Sequence, residues 1–381
     1  MSVEQQREAG LKQVAYLQAA TRNPQFRELR DACPTVSRAL TRADLPGMTG
    51  HRLEERQTRM LSRREALFAG VATGLLGSAS HGSEPGTWPA FPAEEIDLWP
   101  GIPPGAPSIL PVEQVIETGN AQHHGRMVKG IARPRMKVFR PSKPNGAALL
   151  VTPGGGYSVI VIDVEGYQVG PWLSDRGWTI FVLYYRLPGE GWANRADVPL
   201  ADAQRGMRLI RSRAAQYGID PNKVGALGFS AGGHVCGDLA TRYDAKVYNP
   251  IDAADQLSAR PAVAALIYAV QSMSSPLAHA GSRDMLLGPD PSPEVQRAHS
   301  PAHNVTAATP PCFMAQAEDD TTVSVENTVQ MRAALKAAGV KVETHLFTAG
   351  GHGFALPGPA GEPARHWNEM FVAWARAQGL V

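Results

Sequence analysis

Three continuous apolar runs, Ala147–Val151, Thr179–Tyr185 and Val224–Gly228, constrain this chain more than any other feature. A strand that does not alternate apolar with polar residues has to be covered on both faces. Each run is followed by a helix-compatible stretch, namely Glu165–Arg176, Leu200–Tyr217 and Ala231–Thr241. Strand then helix, repeated, predicts parallel strands joined by crossover helices. Further strands at Val263–Val270, Cys312–Ala315 and Lys341–Phe347, and helices at Val325–Ala338 and the chain end, extend the pattern. In the last helix Trp367, Met370, Phe371, Trp374 and Ala375 follow the i, i+3, i+4, i+7, i+8 spacing of one buried stripe. Met136–Arg140 alternates apolar with basic residues and reads as an exposed early strand. The expected fold class is α/β, with a mostly parallel central sheet and helices on both faces.

Composition agrees with a chain able to bury a large core, with 43% hydrophobic and 19% charged residues. The balance of 37 Lys+Arg against 35 Asp+Glu gives no basic excess for nucleic acid, and the small surplus falls in residues 1–80. Cys33, Cys236 and Cys312 are too few for a disulfide framework and show no metal-ligand spacing. No metal or cofactor is expected, and His123-His124 lies in a polar loop without carboxylate or cysteine partners in the adjacent sequence.

The organisation before the sheet is read in three pieces. Ser62-Arg63-Arg64-Glu65-Ala66-Leu67-Phe68, an apolar run to Leu76 and then Gly77-Ser78-Ala79-Ser80 resemble a twin-arginine export signal, so residues 60–80 are expected to engage that export machinery. The apolar run is too short for a stable membrane span, which needs about 20 residues. Met60 stands directly before it and is expected as the start, leaving 1–59 as a leader or upstream extension outside the fold. The protein is then expected to act outside the cytoplasm, in the periplasm or secreted. Residues 81–111, rich in Pro and Gly, read as an extended lead-in over the surface, and 112–381 as the folded domain. Within it, 271–310 is polar, carries Pro276, Pro291 and Pro293, and is a candidate lid.

Chemistry gathers at strand ends. Gly228-Phe229-Ser230-Ala231-Gly232 matches Gly-x-Ser-x-Gly, in which the serine sits on a strained strand-to-helix turn that tolerates only small neighbours. Thr152-Pro153-Gly154-Gly155-Gly156-Tyr157 closes an earlier buried strand, and consecutive glycines let backbone amides approach a developing oxyanion. The donors expected are Gly155, Gly156 and Ala231. Glu318-Asp319-Asp320-Thr321-Thr322-Val323 and Gly350-Gly351-His352-Gly353-Phe354 each follow a later strand. Serine, acid, histidine is the order in which one large class of hydrolases carries its triad. Asp319 and Asp320 compete for the acid position, His352 is the expected base and Ser230 the nucleophile. Glu165 either faces the site or is a first-turn helix acid, and His234 reads as a satisfied helix residue.

The stretch running from Leu98-Trp99-Pro100-Gly101 through Pro153–Tyr157, Tyr185-Arg186-Leu187-Pro188, Asp202-Ala203-Gln204-Arg205 and Gly228–His234 resembles acetyl esterase or acetylxylan esterase-like α/β hydrolases. The likeness covers nearly all of 98–380. It implies the α/β-hydrolase fold with a small cap, no cofactor, and removal of acetyl or other short acyl groups from sugar or xylan esters. It also selects Asp320 as the acid, three residues before Val323, although Ser324 stands where the family has proline. A peptidase or lipase of the same fold, or a silent hydrolase-like binding protein, are the alternatives.

Overall fold

The computed structural model describes residues 92–119, 124–356, 358 and 361–381. The leader 1–59 and the signal-like segment 60–80 lie outside the described residues. In chain order the strands are β1 (Glu95–Asp97), β2 (Gln114–Gly119), β3 (His124–Lys129), β4 (Arg135–Phe139), β5 (Ala148–Thr152), β6 (Ile160–Val161), β7 (Thr179–Tyr184), β8 (Val224–Phe229), β9 (Ala264–Ile267), β10 (Cys312–Ala317) and β11 (Val342–Phe347). The helices are α1 (Val169–Ser174), α2 (Val198–Ser212), α3 (Ala214–Tyr217), α4 (Ser230–Thr241), α5 (Ala280–Leu287), α6 (Pro293–Ala298), α7 (Glu326–Ala337) and α8 (Trp367–Ala377).

Eight strands form one sheet in the order β1-β4-β7-β5-β8-β9-β10-β11. From β7 to β11 every pairing is parallel, and β4 pairs antiparallel with both β7 and β1. The fully apolar runs became β5, β7 and β8, and every residue in them is buried. Both faces are covered. A Cβ at Gly206 of α2 would touch Met136 and Leu150, whereas one at Gly170 of α1 would strike Phe139. Met136 and Phe139 are three residues apart on one strand and so point to opposite sides. Trp178, whose backbone N–H donates to the Leu173 oxygen of α1, meets Phe371 of α8 with ring centroids 6.0 Å apart. This is the α/β-hydrolase architecture.

Several local expectations need adjustment. The strand expected at 136–140 is mostly buried rather than exposed, because Arg135 and Lys137 find Glu95 and Glu113 in segments remote in sequence. The single helix expected over 165–176 is a π-helical turn at Asp163–Tyr167 followed by α1, with Gly166 and Pro171 interrupting a regular ladder. The hairpin β2–β3, extended by β6 into a second small sheet, was not foreseen. The lead-in does not simply cross the surface: Ile96, Leu98 and Trp99 are buried, and Trp99 donates its indole N–H to Asp202 at 2.8 Å.

That contact opens onto a buried ion pair. Asp202 also accepts from the Arg186 backbone N–H at 2.9 Å and from its guanidinium at 2.8 Å, while Arg186 Nη1 reaches the Pro104 carbonyl at 2.7 Å. Both side chains are at most 1% exposed. Three of the motifs that carried the resemblance are therefore one brace between the lead-in, the end of β7 and α2. Removing one member strands a buried charge, so Asp202→Ala should cost about 3–5 kcal/mol. Urea unfolding is the check, and a midpoint equal to that of the parent protein would contradict the brace.

Candidate active site

The turn at Ser230 is built by what glycine permits. Ser230 has φ of 51°, in the left-handed region, at the junction of β8 and α4. A Cβ at Gly228 would lie 2.4 Å from the Gly232 carbonyl oxygen and 2.5 Å from Thr152 Oγ1; one at Gly232 would lie 2.1 Å from the Thr152 oxygen. Only glycine lets α4 start this close to β5, and that closeness raises the Ser230 side chain at the carboxyl edge of the sheet.

Ser230 Oγ lies 2.9 Å from His352 Nε2, and His352 Nδ1 lies 2.8 Å from Asp320 Oδ2. A carboxylate only accepts, so the proton belongs on Nδ1 and Nε2 is left to accept from the serine. Asp320 is fixed in turn. Its Oδ1 accepts the Thr322 and Val323 backbone N–H groups, each at 2.9 Å, and its Oδ2 accepts Gln316 Nε2 at 3.2 Å. Its neighbour Asp319 points elsewhere and accepts the Gly351 N–H at 2.8 Å, which ties the acid loop to the histidine loop. The three residues expected from strand ends are thus brought together, and Asp320 rather than Asp319 faces the imidazole.

The loop after β5 presses against the serine. A Cβ at Gly154 would sit 2.8 Å from Ser230 Cβ. Beyond it Gly155, Gly156 and Tyr157 take φ values of 126°, 62° and 62°, curling the chain so that the Gly155 oxygen accepts from Ser158 and Val159. Among the described residues no hydrogen bond uses the amides of Gly155 or Gly156. Ala231 stands in the first turn of α4, where amides have no intrahelical acceptor. The loop is braced from behind: Tyr185 donates to the Pro153 oxygen at 2.8 Å, and Tyr157 Oη lies 2.6 Å from His234 Nδ1. His234 Nε2 donates to the His299 oxygen at 2.7 Å, so Nδ1 is the acceptor, and burial pushes this imidazole down to about 4, leaving it neutral. His234 is satisfied, as its helix position suggested, and it also supports the loop.

Glu165, left open by the sequence, faces the site. Its Oε2 accepts the Gly154 N–H at 2.5 Å and its Oε1 the Tyr268 hydroxyl at 2.9 Å. Gln316 and Tyr268 were missed, for nothing in the local sequence of either marks a functional partner. The candidate lid folds into α5 and α6 and is anchored through Asn327, whose side chain accepts the Gln271 and Ser272 N–H groups and donates to the Leu277 oxygen. Ser282 of α5 is the heavy-atom neighbour nearest to a Cβ placed on Gly156, at 4.0 Å. The start of the lid helix therefore overhangs the glycine loop. His279 caps that helix by accepting the Ser282 N–H on Nδ1, and burial pushes its pKa down.

Cys236 and Cys312 are free, buried thiols, and Cys33 lies outside the described residues. Among the described residues no group of three or more His, Cys, Asp or Glu could hold a metal ion. No described helix is long and apolar enough to cross a membrane.

Residues 141–335, just over half of the chain, match the BD-FAE family. The chain belongs to that family. Among curated relatives it is 34% identical over 228 residues to an acetylxylan esterase of Xylanibacter ruminicola, covering 59% of this chain and 44% of that protein. It is 35% identical over 227 residues to endo-1,4-beta-xylanase B of Butyrivibrio fibrisolvens, covering 60% of this chain and 34% of that one. The chain thus spans less than half the length of either. Among solved structures, an acetyl ester-xyloside bifunctional hydrolase from Caldicellulosiruptor lactoaceticus superposes with a TM-score of 0.63 at 31% identity, over 76% of this chain and 97% of that one. A propionate-bound thermophilic esterase from Thermogutta terrifontis gives 0.55 at 25% identity, over 65% and 91%.

Proposed function

We propose that this chain is a serine carboxylic ester hydrolase that removes acetyl or other short acyl groups from carbohydrate esters of the xylan type. The observation that carries the reading is the unbroken relay Asp320–His352–Ser230, at 2.8 and 2.9 Å, beside a glycine loop in which the Gly155 and Gly156 amides make no hydrogen bond among the described residues. Ser230 Oγ attacks the ester carbonyl while His352 Nε2 takes its proton. The carbonyl oxygen becomes an oxyanion received by the amides of Gly155, Gly156 and Ala231. His352 then returns its proton to the departing alcohol oxygen as the C–O bond breaks, leaving an acyl-Ser230. Water repeats the sequence, giving the acid and free serine. The names of the acetylxylan esterase and acetyl ester-xyloside hydrolase relatives, and the propionate bound to the Thermogutta enzyme, support the short acyl and the sugar alcohol.

The test is a panel of 4-nitrophenyl esters of increasing acyl length, followed by acetylated xylo-oligosaccharides. The expected result is a kcat/KM greatest for acetyl or propionyl and lower by about tenfold or more for octanoyl, with acetate released from the oligosaccharide. A preference for long acyl chains would support the lipase alternative.

The segment 60–80 is read in the same spirit as a twin-arginine export signal that delivers the folded enzyme to the periplasm or medium. Arg63→Lys with Arg64→Lys should leave the precursor in the cytoplasm when fractions are probed by immunoblot. A processed form appearing outside at the usual level would contradict export by that route.

A further inference from the structure

Glu165 is only 2% exposed, and the relay from Asp320 to Ser230 does not use it. It lies where two parts of the site meet. Gly154, whose N–H it accepts, is the residue pressed against Ser230 and leads directly into Gly155 and Gly156. Tyr268, whose hydroxyl it accepts, stands edge-on to the His352 ring with centroids 5.0 Å apart. Tyr268 holds φ of 37°, an unusual left-handed backbone for a bulky aromatic residue. Burying a carboxyl is costly unless its partners want its charge. A glutamine of the same shape could serve both neighbours, accepting from the Gly154 N–H on oxygen and donating from nitrogen to the Tyr268 oxygen. What glutamate adds is a negative charge beside the imidazole that must become positive during acyl transfer.

We infer that Glu165 is a second carboxylate of the site, a positioning residue that holds the glycine loop through Gly154 and the His352 ring through Tyr268 and balances the imidazolium alongside Asp320. This deepens the esterase reading and rests on it. Burial pushes the Glu165 carboxyl up, while the Gly154 N–H, the Tyr268 hydroxyl and the charge of His352 pull it back. The titratable groups facing it are His352 from the loop after β11, Tyr268 from the end of β9 and Tyr185 from the end of β7, with Asp320 acting on Tyr268 from beyond. On its own turn Asp163 is engaged by Arg126.

The test is the pH profile of kcat/KM for 4-nitrophenyl acetate in the wild type, Glu165→Gln and Glu165→Asp. The attraction between the Glu165 carboxylate and protonated His352 is mutual, so its loss should move the acidic limb toward lower pH. The plateau kcat of Glu165→Gln should fall about 10–100-fold, with a thermal midpoint within about 3 °C of the wild type. Glu165→Asp, which keeps the charge, should restore the limb toward its wild-type position. Should the glutamine variant fail to fold, Tyr268→Phe reads the same link with the acid intact, and a several-fold lower kcat at similar KM is expected. An active wild type whose glutamine variant keeps both limb and plateau, or a Tyr268→Phe protein of wild-type kcat, would overturn this inference alone. A wild type without Ser230-dependent hydrolysis would overturn the esterase reading and this inference with it.

Discussion

Ser230→Ala should lower turnover of a short-chain ester by about six orders of magnitude while the urea midpoint falls only slightly, by about 0.5 M. The two halves of that expectation have separate physical causes. Alanine keeps the Cβ, so the strained backbone at φ of 51° and the contacts that force glycine at 228 and 232 are unchanged. What disappears is one hydroxyl and its 2.9 Å hydrogen bond to His352 in a partly open site, a loss of about 1 kcal/mol. Turnover, by contrast, loses the atom that would carry the acyl group. A residual rate from the glycine loop and substrate binding alone should remain. Steady-state assays and urea titration of the same sample provide both readings, and an alanine variant retaining a tenth of the activity would refute the nucleophile.

The acid offers the second large effect, and the adjacent aspartates make it a controlled comparison. In Asp320→Asn the Thr322 and Val323 amides still require an oxygen at the Oδ1 position. The new NH₂ is therefore forced toward Gln316 Nε2 and His352 Nδ1, which are donors in the native arrangement. Facing a donor, the imidazole shifts its proton from Nδ1 to Nε2, and Nε2 no longer accepts from Ser230. The same substitution in another serine hydrolase fold lowers kcat by about 10⁴, and a fall of that order is expected here. In Asp319→Asn the side-chain oxygen remains available to the Gly351 N–H, so the loss should stay within about tenfold. Turnover numbers for the two variants decide the matter, and the opposite ranking would transfer the role to Asp319.

The parts of this molecule that could be read from sequence are those in which one segment states its own environment. The runs that became β5, β7 and β8 announce two-sided burial, and the stripe from Trp367 to Ala375 announces a docked helix whose members Trp367, Phe371, Trp374 and Ala375 are buried. Gly228 and Gly232 are legible because the turn they flank leaves no room for a Cβ at either position. What stayed hidden depends on partners far away along the chain. Arg135 and Lys137 look like exposed bases until Glu95 and Glu113 are placed against them. Glu165 and Tyr268 are separated by 103 residues, and only the fold makes one the acceptor of the other. Gln316 sits inside β10, where an amide usually signals nothing, yet it spans Asp320, the Val323 carbonyl and Thr328. The choice of Asp320 came from the family resemblance, which places the acid three residues before Val323, and its physical reason is the pair of amides that hold Oδ1.

Ser230 should carry the acyl group between two half-reactions. Mixing the protein with 4-nitrophenyl acetate, quenching in acid within the first turnover and analysing the digest by mass spectrometry tests it directly. One acetyl group is expected on the peptide containing Ser230, formed together with a burst of 4-nitrophenol and absent from the Ser230→Ala protein. Acetate released with no acetylated peptide and no burst, or the adduct found on another residue, would contradict it.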